Sequence, residues 1–236
     1  MPEERLQKLL SHAGYASRRD CEELIREKRV TVNGKIAILG TKADPQVDVI
    51  EVDRSKIDLR EKFVYIALNK PRGVISTVDT PDTRKTVRDL IPIEGHIYPV
   101  GRLDFDSEGL ILMTNDGELA NKITHPRYGH EKEYRVLVAK KPDEEQLSTW
   151  RRGVVLDDNV KTQPARVYTE SEAGKGMWLR IIMHEGKKRQ IRETGMKLGL
   201  PVVRILRVRI GPILLGTMKP GQWRYLTESE IRELKK

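Results

Sequence analysis

The sequence predicts an α+β chain: a small domain of helices and a short sheet, then a larger domain on a mixed, mainly antiparallel sheet. Three observations lead there. Two helical patterns crowd the first 26 residues, β-branched runs between turn residues recur from Val30 onward, and helical periodicity is sparse after the first domain. The expected boundary gives residues 1–60 to the small domain and 61–236 to the large one. A chain of 236 residues has room for both cores.

Leu6, Leu9, Leu10 and Ala13 recur at helical spacing, and Gly14 stops the helix. Ser17 caps a second helix, with Asp20 in its first turn and Cys21, Leu24 and Ile25 on its apolar face. Val30 to Ile36 reads as a strand turning through Asn33-Gly34 into another. Val47, Val49, Ile50 and Val52 add further β character, and Ser55 to Glu61 is a polar linker. Phe63 to Leu68 is a buried strand running into a loop at Asn69-Lys70-Pro71-Arg72-Gly73. Thr77 to Asp89 is a polar surface connection, and Tyr98-Pro99-Val100 leads into a second loop. Leu110 to Met113 is a strand stopped by Asn115-Asp116-Gly117, and Glu118 to Ile123 is a short helix. Further strands cover Tyr134 to Val138, Ala165 to Tyr168 and Trp178 to Met183. Lys187 to Leu198 reads as a helix, after which Val202 to Leu206 and Arg207 to Ile210 return to β structure.

The formal charge of +9 points to an anionic partner. Residues 1–60 hold 12 basic and 11 acidic side chains, so nearly all the excess lies beyond them. Between His184 and Ile210 eight Lys and Arg face only Glu185 and Glu193, a pattern suited to phosphate. Charges interrupt every apolar run before it reaches membrane-spanning length, so no membrane partner is expected. The start, MPEERLQKLL, has no secretory pattern, which sets the cytoplasm as the expected compartment. One cysteine and five scattered histidines without paired spacing argue against a metal site, and no phosphate-loop or dinucleotide fingerprint appears.

The segment from Gly101 to Gly117 places Arg102 two residues before Asp104 on a Gly-bounded loop that feeds an apolar strand. Loops held by a rigid sheet commonly carry catalytic carboxylates. The residues alone leave Asp104, Asp106 and Glu108 open as candidates, since an Asp in a turn often serves only to cap backbone. By pattern alone Tyr134 is a strand aromatic of the core or the surface.

Two resemblances extend this reading. Arg5-Leu6-Gln7-Lys8-Leu9, Gly14-Tyr15-Ala16-Ser17-Arg18-Arg19 and Val30-Thr31-Val32-Asn33-Gly34 together resemble the S4 RNA-binding domain. The resemblance implies RNA contacts from Arg5, Lys8, Arg18 and Arg19. The Gly101–Gly117 segment resembles the catalytic motif of pseudouridine synthases acting on ribosomal RNA, the small-subunit type and its large-subunit relatives with an amino-terminal S4 domain. That resemblance runs from Arg5 to Thr227 and makes Asp104 the catalytic residue, with Arg102 at the flipped nucleotide. In Glu133-Tyr134-Arg135-Val136 it places Tyr134 against the target base, where a flat ring holds a pyrimidine. In Glu185-Gly186-Lys187-Lys188-Arg189-Gln190-Ile191-Arg192 it packs Ile191 on the pocket and pairs Arg192 with the aspartate through charge-assisted hydrogen bonds. Lys187, Lys188 and Arg189 then meet phosphate.

The expected function is therefore isomerisation of uridine to pseudouridine in ribosomal RNA, with large-subunit RNA favoured. A monomer acting on ribosomal RNA or a ribosome-assembly intermediate is expected, and no cofactor, because the isomerisation changes no oxidation state and consumes no phosphate. The alternative is a non-catalytic RNA-binding or ribosome-assembly protein. A soluble hydrolase is the weaker rival, lacking an activated nucleophile or a metal-bound water.

Overall fold

The computed structural model of the chain describes residues 3–58, 63–81 and 83–236. The second half of the expected linker (residues 59–61) and the expected boundary at 60/61 lie outside the described residues, as does Asp82 of the Thr77–Asp89 connection. The chain divides into two compact units. One comprises Met1–Val64 with Pro92–Tyr98 and Thr114–Gly117, and the other Tyr65–Ile91, Pro99–Met113 and Glu118–Lys236.

The first unit begins with β1 (Glu4–Arg5), α1 (Leu6–His12) and α2 (Arg18–Arg26). The side chain of Ser17 accepts a bond from Asp20 N at 3.2 Å, so α2 starts where its cap residue predicts. There follow β2 (Val30–Val32), β3 (Lys35–Ile36), β4 (Lys42–Ala43), β5 (Ile50–Val52) and β6 (Ser55–Lys56). Asn33 and Gly34 both take positive φ, the conformation a tight hairpin between β2 and β3 requires. Strands β3-β2-β5-β6 form one small sheet, and β1 pairs with β4. Leu6, Leu10, Cys21, Ile25 and Ile50 fill the core beneath, whereas Val47 and Val49 stay exposed.

The second unit is built on β7 (Tyr65–Lys70), β8 (Tyr98–Val100), β9 (Glu108–Thr114), α3 (Gly117–Thr124), β10 (Lys132–Val138), α4 (Glu144–Arg152), β11 (Arg166–Ala173), β12 (Gly176–Met183), α5 (Gln190–Lys197), β13 (Val202–Ile210), β14 (Ile213–Leu214), β15 (Trp223–Tyr225) and α6 (Glu228–Lys235). A nine-stranded sheet runs β11-β12-β10-β13-β9-β7-β15, with β14 on β13 and β8 on β9. Its pairings are mostly antiparallel, and β13 runs parallel to β9, which makes the sheet mixed. β7 and β9 are buried along their whole length, whereas β10 alternates buried residues with more accessible ones. The middle of the sheet is therefore covered on both faces.

The structure corrects several element boundaries. Asn69 and Lys70, expected in a loop, complete β7, because Asn69 exchanges backbone bonds with Gly221 and Gln222. Glu108 and Gly109 belong to β9. Helix α5 begins at Gln190, three residues later than its pattern suggests, and Val202 to Ile210 is one continuous strand. Helices α4 and α6 are additions to the expected elements, although each opens on a capping box, Asp143 with Gln146 and Thr227 with Glu230. Among the described residues no helix is long and apolar enough to cross a membrane.

Candidate active site

The loop between β8 and β9 is braced by residues 70–76. Ser76, buried, donates its hydroxyl to Leu103 O at 2.7 Å and accepts from Leu103 N at 3.0 Å. Gly73 N bonds Phe105 O at 2.9 Å. Lys70 Nζ donates to Ser107 O at 2.7 Å and to Pro71 O at 3.0 Å. The loop closes on itself where Ser107 N meets Asp104 O at 3.0 Å. Leu103, Asp104, Phe105 and Ser107 thus each have backbone groups tied, and the Asp104 side chain sits among them half-buried.

The three carboxylates of this segment stand in different surroundings. Glu108 is 6% exposed and forms an ion pair with Arg204. Asp106 is exposed, and its backbone oxygen accepts from Arg192 Nη2 at 3.4 Å. Asp104 is half-buried, and both it and Asp106 lie close enough to Lys70 and Arg192 to act electrostatically on them.

Lys70 is fully buried at the end of β7. Burial pulls its pKa down to about 8, against the attraction of Asp104 and then Glu108, with Arg207 adding to the fall. Arg192 lies in the first turn of α5. Its Nη1 donates to Val202 O at 3.3 Å, and Nε is buried without an acceptor. Burial lowers its pKa, Arg189 adds to this, and Asp106 and Asp104 oppose it. In place of the expected direct pairing with Asp104, the guanidinium bonds two backbone carbonyls.

Ile191, buried, precedes Arg192 on the same helix. Tyr134 is 6% exposed in the middle of β10, with Ile181 on β12 and Arg207 on β13 as its cross-strand partners. Arg207 in turn acts on the charge of Lys70. Asp104 and Arg192 are thus brought into one electrostatic neighbourhood, and Tyr134 is the register partner of Arg207, whose charge acts on Lys70. Arg102 is exposed at the loop's start. Ser76 carries no signal in the sequence, Lys70 reads there only as a loop residue beside Pro71, and Arg207 counts only among the cations suited to phosphate.

The basic candidates divide into two groups. Lys188 and Arg189 are exposed ahead of α5, while Lys187 turns its Nζ to Lys161 O at 3.0 Å. Arg5, Lys8 and Arg18 line an open groove of ≈ 390 Å³ in the first unit, together with Glu4, Gln7 and Lys42. Lys8 is held by Glu4 at 2.6 Å. Arg19 is exposed on α2 outside that lining.

The chain is similar to known proteins over most of its length. The family model described as RNA pseudouridylate synthase matches residues 64–194, and the S4 domain model matches residues 4–49. An RNA pseudouridine synthase of Aquifex aeolicus is 44% identical over 99% of this chain and 94% of its own length. The ribosomal large subunit pseudouridine synthase B of Bacillus subtilis is 42% identical over 98% of this chain and 96% of its own. A crystal structure of a pseudouridylate synthase superposes with a TM-score of 0.68 at 30% identity, covering 98% of this chain and 99% of that one. With matches over almost its full length, the chain belongs to the RNA pseudouridylate synthase family and carries an S4 domain at its amino-terminal end.

Proposed function

We propose that this chain isomerises uridine to pseudouridine in ribosomal RNA, favouring large-subunit RNA, with Asp104 as its catalytic carboxylate. The observation that carries this reading is the construction of the Asp104 loop. Ser76, Gly73 and Lys70 fix the backbone on both sides of a half-buried carboxylate, so its position is set before substrate arrives. The name of the Bacillus subtilis relative supports the large-subunit substrate.

Two routes use the same carboxylate. Asp104 attacks the ribose anomeric carbon to form a sugar ester, or it abstracts a sugar proton so that the reaction passes through a glycal. In both, the nucleotide leaves its stack and Arg102 takes up the vacated place or its phosphate. Tyr134 and Ile191 enclose the base while it turns. On substrate binding Arg192 exchanges its backbone acceptors for the Asp104 oxygens, a change in which a bond between two ions replaces long bonds from the cation to neutral carbonyls.

Residues 1–60 serve as the RNA-binding domain and 61–236 as the catalytic domain. Arg5, Lys8, Arg18 and Arg19 contact structured RNA in the first, and Lys187, Lys188 and Arg189 meet phosphate in the second. The enzyme acts as a monomer in the cytoplasm, on ribosomal RNA or an assembly intermediate.

The test is single-turnover tritium release from a large-subunit ribosomal RNA transcript labelled at uridine C5, with enzyme in excess. Wild type is expected to release tritium and Asp104→Asn none, with RNA affinity unchanged or higher. An Asn variant within roughly tenfold of wild type, about 1.4 kcal/mol of barrier, removes Asp104 from the role. Wild type that binds the transcript without releasing tritium points instead to a non-catalytic RNA-binding protein.

A further inference from the structure

Arg207 is a cation in a place that gives it little to do. It stands in the middle of β13 and is 4% exposed. Its Nε donates to Leu110 O at 2.7 Å, but Nη2 is buried without any hydrogen-bond acceptor. Among the described residues no carboxylate forms an ion pair with it, and the charges it acts on include two further buried cations, Lys70 and Lys132. A buried charge with an unused donor is costly, and native structures keep such groups where a water, an ion or a substrate completes them.

The backbone fixes where that donor lies. Arg207 is the register partner of Gly109 on the parallel strand β9. A Cβ at Gly109 would collide with the backbone of Arg207, so the close approach of the two strands depends on glycine there. On its other side Arg207 pairs with Tyr134. The register slips between Glu133 and Tyr134, so that Arg209 opposes Glu133 and Arg207 opposes Tyr134. Cross-strand partners project to one face of the sheet, so the Arg207 side chain leaves β13 on the face that Tyr134 occupies, and its Nε reaches Leu110 O on β9.

We propose that Arg207 is a further catalytic residue, whose free Nη2 donates to a carbonyl oxygen of the detached uracil and stabilises the negative charge the base acquires when its glycosidic bond breaks. The inference rests on the isomerase reading of Asp104 and Tyr134. When the N1–C1′ bond breaks, its electron pair leaves with the base as a monoanion spread over N1, O2 and O4. C1′ gains a replacement pair from an Asp104 oxygen in the ester route, or from the C2′–H bond as Asp104 takes the proton. After rotation C5 bonds to C1′ as the ester C1′–O bond breaks and returns its pair to Asp104, or as the glycal double bond opens and C2′ takes its proton back from Asp104; the C5 proton is then released and N1 takes one up. Nη2 is enclosed in the free protein, so the donor is uncovered only as the substrate enters, and a neutral, flat base is less costly to bring into such a site than a hydrated phosphate. A cation in a dry site stabilises developing charge far more than it does in water.

The experiment compares leaving groups. Two large-subunit ribosomal RNA transcripts are prepared, one with uridine and one with 5-fluorouridine, whose electron-withdrawing fluorine makes the departing anion less dependent on help. Loss of the N-glycosidic nucleoside is followed at single turnover, by nuclease digestion and chromatography, for wild type, Arg207→Gln and Arg207→Lys. Arg207→Gln is expected to slow the uridine transcript by about 100-fold or more. Its loss on the 5-fluorouridine transcript is expected to be at least tenfold smaller, with Arg207→Lys between wild type and Gln on both. Equal losses on the two transcripts, or no loss, overturn the assignment and leave Arg207 a scaffold residue. If Arg207→Gln no longer unfolds cooperatively, the Lys variant decides by the same comparison of losses. Wild type inactive on the uridine transcript sinks the isomerase reading itself, a result distinct from equal losses in an active enzyme.

Discussion

Lys70 carries an amine to a site that water does not reach, and its two backbone acceptors, Pro71 O and Ser107 O, are what keep it there. Its pKa of about 8 lies below the ordinary lysine value of 10.5. Between those values the unfolded chain binds a proton that the folded chain has lost, so stability from this group rises with pH across that window. Below pH 8 the cost of the buried charge is complete. Urea unfolding of wild type and Lys70→Met at about pH 7.5 and about pH 9.5 is expected to show wild type gaining on the variant as pH rises. The gain should be at most about 1.4 kcal/mol per pH unit, and parallel curves would mean that Lys70 titrates normally. The same variant frees Ser107 O, so the Asp104 loop loosens and single-turnover isomerisation should fall by about tenfold. None of this was legible in the sequence, where Lys70 stands in a Lys-Pro-x-Gly stretch that reads as a turn.

Among the elements, α5 shows how side chains displaced an expected boundary. Lys187, Lys188 and Arg189 would place three cations at the positive end of the helix dipole. They lie ahead of the helix instead, with Arg189 in the left-handed region at φ 53°. Gln190 makes the start: its Oε1 accepts from Lys187 N at 3.0 Å and its Nε2 donates to Glu185 Oε1 at 2.7 Å. Glu185, itself buried, also accepts from Gln163 N at 2.8 Å. Glu185→Ala leaves both donors unsatisfied and is expected to destabilise the protein by about 2 kcal/mol. It should also weaken RNA binding, because the loop presenting Lys188 and Arg189 is released. A urea midpoint and RNA affinity both indistinguishable from wild type would remove Glu185 from this role. Gly195 on the same helix has a packing reason, since a Cβ there would press on Leu200 O and Val202 Cγ2 at 2.7 Å each. Strong local signals survived at this scale: the Ser17 cap and the Asn33-Gly34 hairpin stand where the pattern put them.

For the whole molecule, the near-balanced charge of residues 1–60 leaves RNA binding to a few placed cations rather than to a general field. Within the first unit Arg18 turns Nη2 towards Gly117, 3.5 Å from the position of a Cβ there, and its charge counters the burial that raises Tyr98. Arg5, Lys8 and Arg19 are then the better group to remove together. Arg5→Ala with Lys8→Ala and Arg19→Ala should weaken RNA binding and flatten its salt dependence, by roughly 0.7–0.9 in logarithmic slope for each phosphate no longer neutralised. Tritium release at saturating RNA should persist; an unchanged salt slope would mean that these side chains do not meet phosphate. The sequence by itself determined the α+β class, the helix caps, the hairpin and the family resemblance, because each rests on neighbours in the chain or on short runs of residue types. Tertiary structure alone decided the surroundings of Asp104, Asp106 and Glu108, since Arg204, which pairs with Glu108, lies 96 positions away. It alone buried Lys70 and Arg207 as well. Burial of a charge is a property of what packs around it, and the strands that do so here come from separate parts of the chain.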